Sequence, residues 1–187
     1  MECVADKPIS YYAFEMLYWM GIREGELLAL TPADFNFETH TLRINKSYQR
    51  LHREDVITPP KTLKSNRIIK MPQFLCDEMQ DYLKMLYEPK EDERIFTISK
   101  SYLHHEMNRG SKVSGVKRIR VHDLRHSHVS LLINMGFTVL AIADRMGHES
   151  IDITYRYAHL FSSEQTQMAE QLDIERMEKL NGEKSGQ

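Results

Sequence analysis

The sequence predicts an α+β domain, mostly helical, with a small antiparallel three-stranded sheet on one side. Apolar residues recur at helical spacing in most of the chain, and strand signals are confined to one stretch between residues 35 and 72. A chain of 187 residues, 41% of them hydrophobic, can bury one core and is short for two.

Residues 8–30 open the chain as a helix, with Tyr11, Phe14, Leu17, Tyr18 and Trp19 on an apolar face and the methionines from Met16 to Met20 assigned to the core. Gly21 interrupts it, Ile22 restarts it, and Thr31-Pro32 closes it, because proline disfavours helix in the residue before it. Strands are expected at 35–37 and 41–47, with a returning strand at 66–72. Between them, Thr58-Pro59-Pro60-Lys61-Thr62-Leu63-Lys64-Ser65 reads as a turn-rich basic loop, and residues 51–60 lengthen the hairpin. An amphipathic helix follows at 74–86, with Leu75, Met79, Leu83 and Leu86 on one side. After a charged loop comes the apolar run Ile95-Phe96-Thr97-Ile98, a helix at 101–109, and a Ser/Lys/Gly loop at 110–115. Val129-Ser130-Leu131-Leu132-Ile133-Asn134-Met135 is apolar enough to be a central helix, with Gly136 as its C-terminal cap. Short helices are expected at 139–146 and 150–160, an amphipathic one at 163–180, and a frayed end at 182–187.

Nothing in the chain approaches the ~18-residue apolar run of a membrane span, and Glu15 breaks the best candidate. The two cysteines, Cys3 and Cys76, fit neither a disulfide framework nor a zinc module, and no signal peptide is visible, so the expected compartment is the cytoplasm. A net charge of -2 hides an uneven distribution. Residues 43–70 carry Arg43, Lys46, Arg50, Arg53, Lys61, Lys64, Arg67 and Lys70 against Glu54 and Asp55, and residues 109–125 carry six cations against Asp123. Such stripes can hold a phosphate backbone even on a protein that is acidic overall.

The densest chemistry lies in Val121-His122-Asp123-Leu124-Arg125-His126-Ser127-His128, at the mouth of the apolar helix. Breaking a phosphodiester without a metal needs cations and donors on the phosphate, a nucleophile, and an acid for the leaving oxygen. Arg23 and Arg125 are candidates for the first task, because a guanidinium is always charged and grips phosphate oxygens in pairs. His122 and His148 are candidate donors that exchange protons near neutral pH. Tyr155 and Tyr157 are two residues apart, so on a helix they point about 200° apart and only one can face such a site.

Taken in order, these segments resemble the tyrosine recombinases, or phage-type integrases. Gly21-Ile22-Arg23-Glu24-Gly25-Glu26-Leu27-Leu28-Ala29-Leu30 resembles their first box and His122-Asp123-Leu124-Arg125-His126-Ser127 their second. Met146-Gly147-His148 and Tyr155-Arg156-Tyr157-Ala158-His159 are similar to the two that follow, and Pro60-Lys61-Thr62 ahead of Ser65-Asn66-Arg67 to the family's hairpin lysine motif. The likeness runs from residue 9 to 159, and its strength is the order of the five motifs.

The resemblance implies a catalytic domain over residues 1–180, a flexible tail at 181–187, and a core-binding domain upstream of this chain. It implies site-specific DNA recombination or integration through a 3′-phosphotyrosyl intermediate, with no cofactor and no metal. Arg23 and Arg125 would grip the scissile phosphate, His148 and His122 would assist, and Lys61 would protonate the leaving 5′ oxygen. Tyr157 would attack, since the family places its tyrosine nine residues after the histidine that matches His148. Glu26 would support Arg23, and Lys64, Arg67, Arg118 and Arg120 are expected to contact DNA, with Lys64 the alternative to Lys61. The partner is double-stranded DNA, on which the full-length protein would assemble as a tetramer, with no membrane involved.

Three other readings stay open. His122 and His126 at i, i+4 have a spacing that suits a metal, although the surrounding cations would repel one. A DNA-binding module without chemistry would use the same basic stripes. Relaxation of supercoils in the manner of a type IB topoisomerase would use the same chemistry.

Overall fold

The computed structural model describes residues 4–60, 62–150 and 168–177. The first helix, α1 (Pro8–Met20), begins with proline in its first turn, where the missing amide is no loss, and ends at Gly21 in the left-handed region (φ 62°). Tyr12, Ala13, Met16, Leu17 and Met20 fall at i, i+3 and i+4 and are buried, so α1 runs through the core and packs on two later helices, α3 (Gln73–Met85) and α5 (Asp123–Asn134). Gly21 also has no room for a side chain, since a Cβ there would lie 2.5 Å from the His128 ring. A single turn, α2 (Glu24–Leu27), restarts the chain, and Leu27, Leu28, Ala29 and Leu30 are all buried.

The sheet has three antiparallel strands in the order β1 (Phe35–Asn36), β2 (Thr41–Ile44) and, from later in the chain, β5 (Arg67–Lys70). Leu42, Ile44 and Ile69 turn inward while Ile68 faces solvent, the period-2 pattern of a sheet wet on one side. The expected strand at 41–47 is shorter than the sequence suggests. It stops at Ile44, and the chain leaves the sheet to form a separate hairpin, β3 (Ser47–Leu51) with β4 (Glu54–Thr58). Its two-residue turn, His52-Arg53, takes φ of 50° and 72°. Positive φ at both positions suits the right-handed twist of a tight hairpin, but it is usually signalled by Asn-Gly.

In α3 the buried stripe is Leu75, Cys76, Met79 and Tyr82, with Leu83 and Leu86 at its margin. Tyr82 reaches across to the Ile95 carbonyl (2.9 Å) and stacks on Phe96, which anchors the 95–98 run as an extended segment outside the sheet. The next helix, α4 (Lys100–Ser114), is capped by Ser99 and runs through the region expected to be a loop. Gly110 is buried within it, and Ser111 and Ser114 bond back to the Met107 and Gly110 carbonyls, so the stretch that looked like punctuation is its last turn.

Two helices complete the described core, α5 and α6 (Val139–Met146). Leu124, Arg125, His128, Val129 and Ile133 of α5 are buried, whereas Met135, Phe137 and Leu140, beyond its end, are exposed. The apolar stretch of α5 is therefore buried, but in a second, smaller cluster formed by Val129, Ile133, Ile142 and Met146 rather than in the main core. Gly136 does close it in the left-handed region (φ 83°), and the Phe137 amide reaches back to the Leu132 carbonyl. Residues 168–177 are helical and exposed throughout, whereas the helix expected at 150–160, the frayed end and Cys3 lie outside the described residues. No helix among the described residues is long and apolar enough to cross a membrane.

Candidate active site

The site is built on the C-terminal end of α6. Gly147 takes φ 61°, its amide bonds the Asp144 carbonyl, and the His148 amide bonds the Ala143 carbonyl at 3.0 Å. This paired closure fixes the backbone that carries His148. It also turns three consecutive carbonyls toward other elements, and each accepts from a different arginine. Arg67 Nε donates to the Arg145 carbonyl (3.0 Å), Arg125 Nη2 to that of Met146 (2.6 Å), and Arg23 Nη2 to that of Gly147 (3.5 Å).

Arg125 is buried on α5, and its second arm donates to the Gly21 carbonyl (2.6 Å), the residue at the break between α1 and α2. That bond ties the second motif to the first across 104 residues of chain. Arg23, two residues on, keeps 39% of its side chain exposed, and Glu26 holds it through its amide (2.9 Å) and Nη1 (2.7 Å). Burial alone would raise the Glu26 carboxyl; Arg67 first and Arg23 second outweigh it and hold the carboxyl below its usual range.

His148 lies buried among these cations. Burial first, then the charges of Arg125, Arg23 and Arg67, lower its pKa to about 4, so at neutral pH the ring is an uncharged donor or acceptor. His122 caps the start of α5 and stays exposed, and its pKa is also lowered, by loss of hydration and then by His126 and Arg125. The His122 and His126 rings meet edge to face at 4.9 Å. His128 has a different role. It is buried, held neutral by burial and by Arg145, and accepts a 3.2 Å bond from Arg145 Nε under Gly21. Among the described residues no three His, Cys, Asp or Glu side chains gather as a metal site would need.

Arg23 joins two adjoining concavities. One is lined by Thr58, Pro59, Pro60, Thr62, Ser65 and Gly147, which brings the loop around position 61 to the arginine. The other is lined by Gln49, Arg50, Ser99, Lys100 and His122. The two share Arg23, Ser47 and Gln49, and carry Lys46, Arg50 and Lys100 beside Glu24, Glu26 and Glu149, while His148 lines a neighbouring concavity with Lys64, Arg67 and Arg145. Lys61 and both candidate tyrosines, Tyr155 and Tyr157, lie outside the described residues. Lys64 sits at the rim, exposed, donating to the Glu149 carbonyl. Arg118 is exposed, and Arg120 is exposed but paired with Asp123. Arg67 departs from the expectation of a DNA contact. Its side chain is 7% exposed and turns inward, with both arms on Glu26. A strand start normally places alternate residues in and out, so the sequence signal for this was only its position two residues before the buried Ile69. Arg145, which the motifs did not single out, rivets α6 to the Lys70 and Trp19 carbonyls.

The mostly helical fold carries a three-stranded sheet, a separate hairpin and three arginines gathered on the carbonyls of one helix C-terminus. Residues 3–164 match the phage integrase family, and the chain belongs to it. It is 30% identical over 174 residues to the ICEBs1 integrase of Bacillus subtilis, covering 86% of this chain and 47% of that one. It is 28% identical over 161 residues to the putative prophage phiRv2 integrase of Mycobacterium tuberculosis, covering 81% and 43%. The chain thus spans less than half the length of these curated relatives. Among solved structures, the Tn1549 transposon integrase in complex with circular intermediate DNA superposes with a TM-score of 0.69 at 23% identity, over 79% of this chain and 54% of that one. The XerA recombinase superposes with a TM-score of 0.69 at 21% identity, over 91% and 58%. Likeness at this level of identity is likeness of fold.

Proposed function

We propose that residues 1–180 act as the catalytic domain of a tyrosine recombinase that cuts and rejoins double-stranded DNA in site-specific integration. The observation that carries this reading is the row of three carbonyls at 145–147, each bound to a different arginine, which gathers guanidiniums around a neutral His148. A phosphodiester held at Arg23, beside the end of α6, would meet Arg23 and Arg125 as charge, and His148 and His122 as donors. Because the site already holds its cations, the developing negative charge of the transition state is met without reorganisation. In the reaction the Tyr157 hydroxyl passes its proton to His122 as its oxygen bonds to phosphorus, the bond from phosphorus to the 5′ oxygen breaks, and Lys61 supplies the proton to that leaving oxygen. Attack by a 5′ hydroxyl of the partner strand then reverses these steps and frees the tyrosine. The full-length protein would work as a tetramer on DNA, in the cytoplasm where its substrate lies.

The test is covalent trapping on a nicked suicide substrate in excess chelator. Wild-type protein is expected to form a protein–DNA adduct there, and Tyr157→Phe to form none while still binding DNA. An adduct that persists in Tyr157→Phe, or one that disappears with chelator, would overturn the assignment.

A further inference from the structure

We infer that Arg67 is a positioning residue of the phosphate site: it supplies the counter-charge of Glu26 and so leaves Arg23 free to grip the scissile phosphate. The inference rests on the reading of this site as one of strand cleavage. Glu26 is buried, and its two oxygens accept from the Arg23 amide, Arg23 Nη1, Arg67 Nη1 and Arg67 Nη2, at 2.7 to 3.1 Å. A carboxylate buried so deeply must be matched by positive charge. Were Arg23 its only partner, the two would neutralise each other in a paired fork, and Arg23 would have little left for a ligand.

Arg67 removes that conflict. It meets the carboxylate with both arms, and it also donates Nε to the Arg145 carbonyl and Nη1 to the Ser65 carbonyl (3.0 Å each). Four of its five N–H donors are therefore spent inside the protein. Arg23 spends two, one on Glu26 and one on the Gly147 carbonyl, and its other three have no partner among the described residues. Two guanidiniums and one carboxylate leave a net charge of +1, and the exposed member is Arg23, at 39% against 7% for Arg67. The bonds of Arg67 to Ser65 and Arg145 also register the loop beyond position 61 against the helix end that carries His148. Gly147 makes the space, since a Cβ there would lie 2.9 Å from Arg67 Cδ and 2.8 Å from the Lys64 carbonyl.

The test compares Arg67→Met, Arg67→Lys, Glu26→Gln and the double variant Arg67→Met with Glu26→Gln. Single-turnover adduct formation on the suicide substrate and DNA affinity are measured separately. Arg67→Met is expected to slow adduct formation on the order of 100-fold with affinity and salt dependence within about threefold of wild type, and Arg67→Lys to fall between. The double variant is expected to cleave at least as fast as Arg67→Met alone, because a neutral amide needs no counter-charge; a mere packing role would make the two losses add. Affinity falling in step with cleavage, a wild-type rate in Arg67→Met, or additive losses would overturn the inference. If Arg67→Met does not fold, Arg67→Lys alone decides by the same split between rate and affinity. If the wild-type protein forms no adduct, the functional reading fails, and carbon-13 titration of the Glu26 carboxyl still decides this one. The carboxyl must stay ionised to lower pH in wild type than in Arg67→Lys, and an unchanged titration would sink the inference.

Discussion

His128 and His148 belong to one histidine-rich neighbourhood yet do different work. The first holds the α1 break against α6 through Arg145, and the second stands at the end of α6 among Arg23, Arg125 and Arg67. Both are held near a pKa of about 4, by burial before any other cause. A histidine whose pKa is lower in the folded than in the unfolded chain takes up its proton on unfolding. The stability its neutral ring contributes is whole above about pH 6.5 and is lost as the pH falls toward 4. Carboxylates such as Glu26 and Glu106, whose folded pKa is depressed, lose theirs only below about pH 4.5, while Glu15 and Glu24, raised by burial, act above it in the opposite sense, so the difference between wild type and a histidine variant from pH 6.5 to 5 is what reports the ring. Melting temperature is expected to drop across that interval in wild type and to drop less steeply in His128→Gln, whatever its absolute value. An equal slope in the two proteins would contradict the buried-neutral assignment. At the site, a neutral His148 can meet an anionic phosphate with a single N–H, and the phosphate's own charge would draw the ring toward protonation.

At the scale of elements, the hairpin β3–β4 gives the clearest lesson in what is legible. Helix α6 was readable to the residue, because Thr138, the apolar periodicity and Gly147 all agree. The three-stranded sheet was readable because its β-branched residues alternate in and out. The second hairpin was not, because its turn is made by His52 and Arg53 in a backbone region that sequence usually marks with Asn and Gly. The same is true of Gly110, buried inside α4 where glycine normally signals an end. In the site, the arginines of the motifs were legible, but the inward turn of Arg67 was not: its partner Glu26 is 41 residues away, and only the fold joins them. The strained turn carries a prediction. Replacing His52→Asn with Arg53→Gly should relieve the positive-φ cost and stabilise the protein by about 0.5–1 kcal/mol, raising the melting temperature by roughly 2–4 °C. A fall in melting temperature would show that the two side chains contribute something the turn geometry does not reveal.

At the scale of the whole molecule, the net charge of -2 would suggest little affinity for a polyanion, yet Arg23, Lys46, Arg50 and Lys100 line the two adjoining concavities, where Glu26 is already matched by Arg67. Binding to duplex DNA should therefore weaken steeply with salt. Each phosphate contact contributes about 0.9 to the slope of log affinity against log salt, so Arg118→Ala, which removes an exposed cation, should reduce the slope by about 1 and weaken all sequences alike. An unchanged slope would place Arg118 off the DNA.

Under the proposed function, the arginines and His148 gathered at one helix end serve the attack of Tyr157. The measurement that meets this most directly is to trap the protein on a nicked suicide substrate, digest both components, and identify the residue and the DNA end that are joined. The expected result is Tyr157 linked to a 3′ phosphate, with a free 5′ hydroxyl on the released strand. A link through any other residue, or a cut that leaves a free 3′ hydroxyl and a 5′ phosphate, would contradict it.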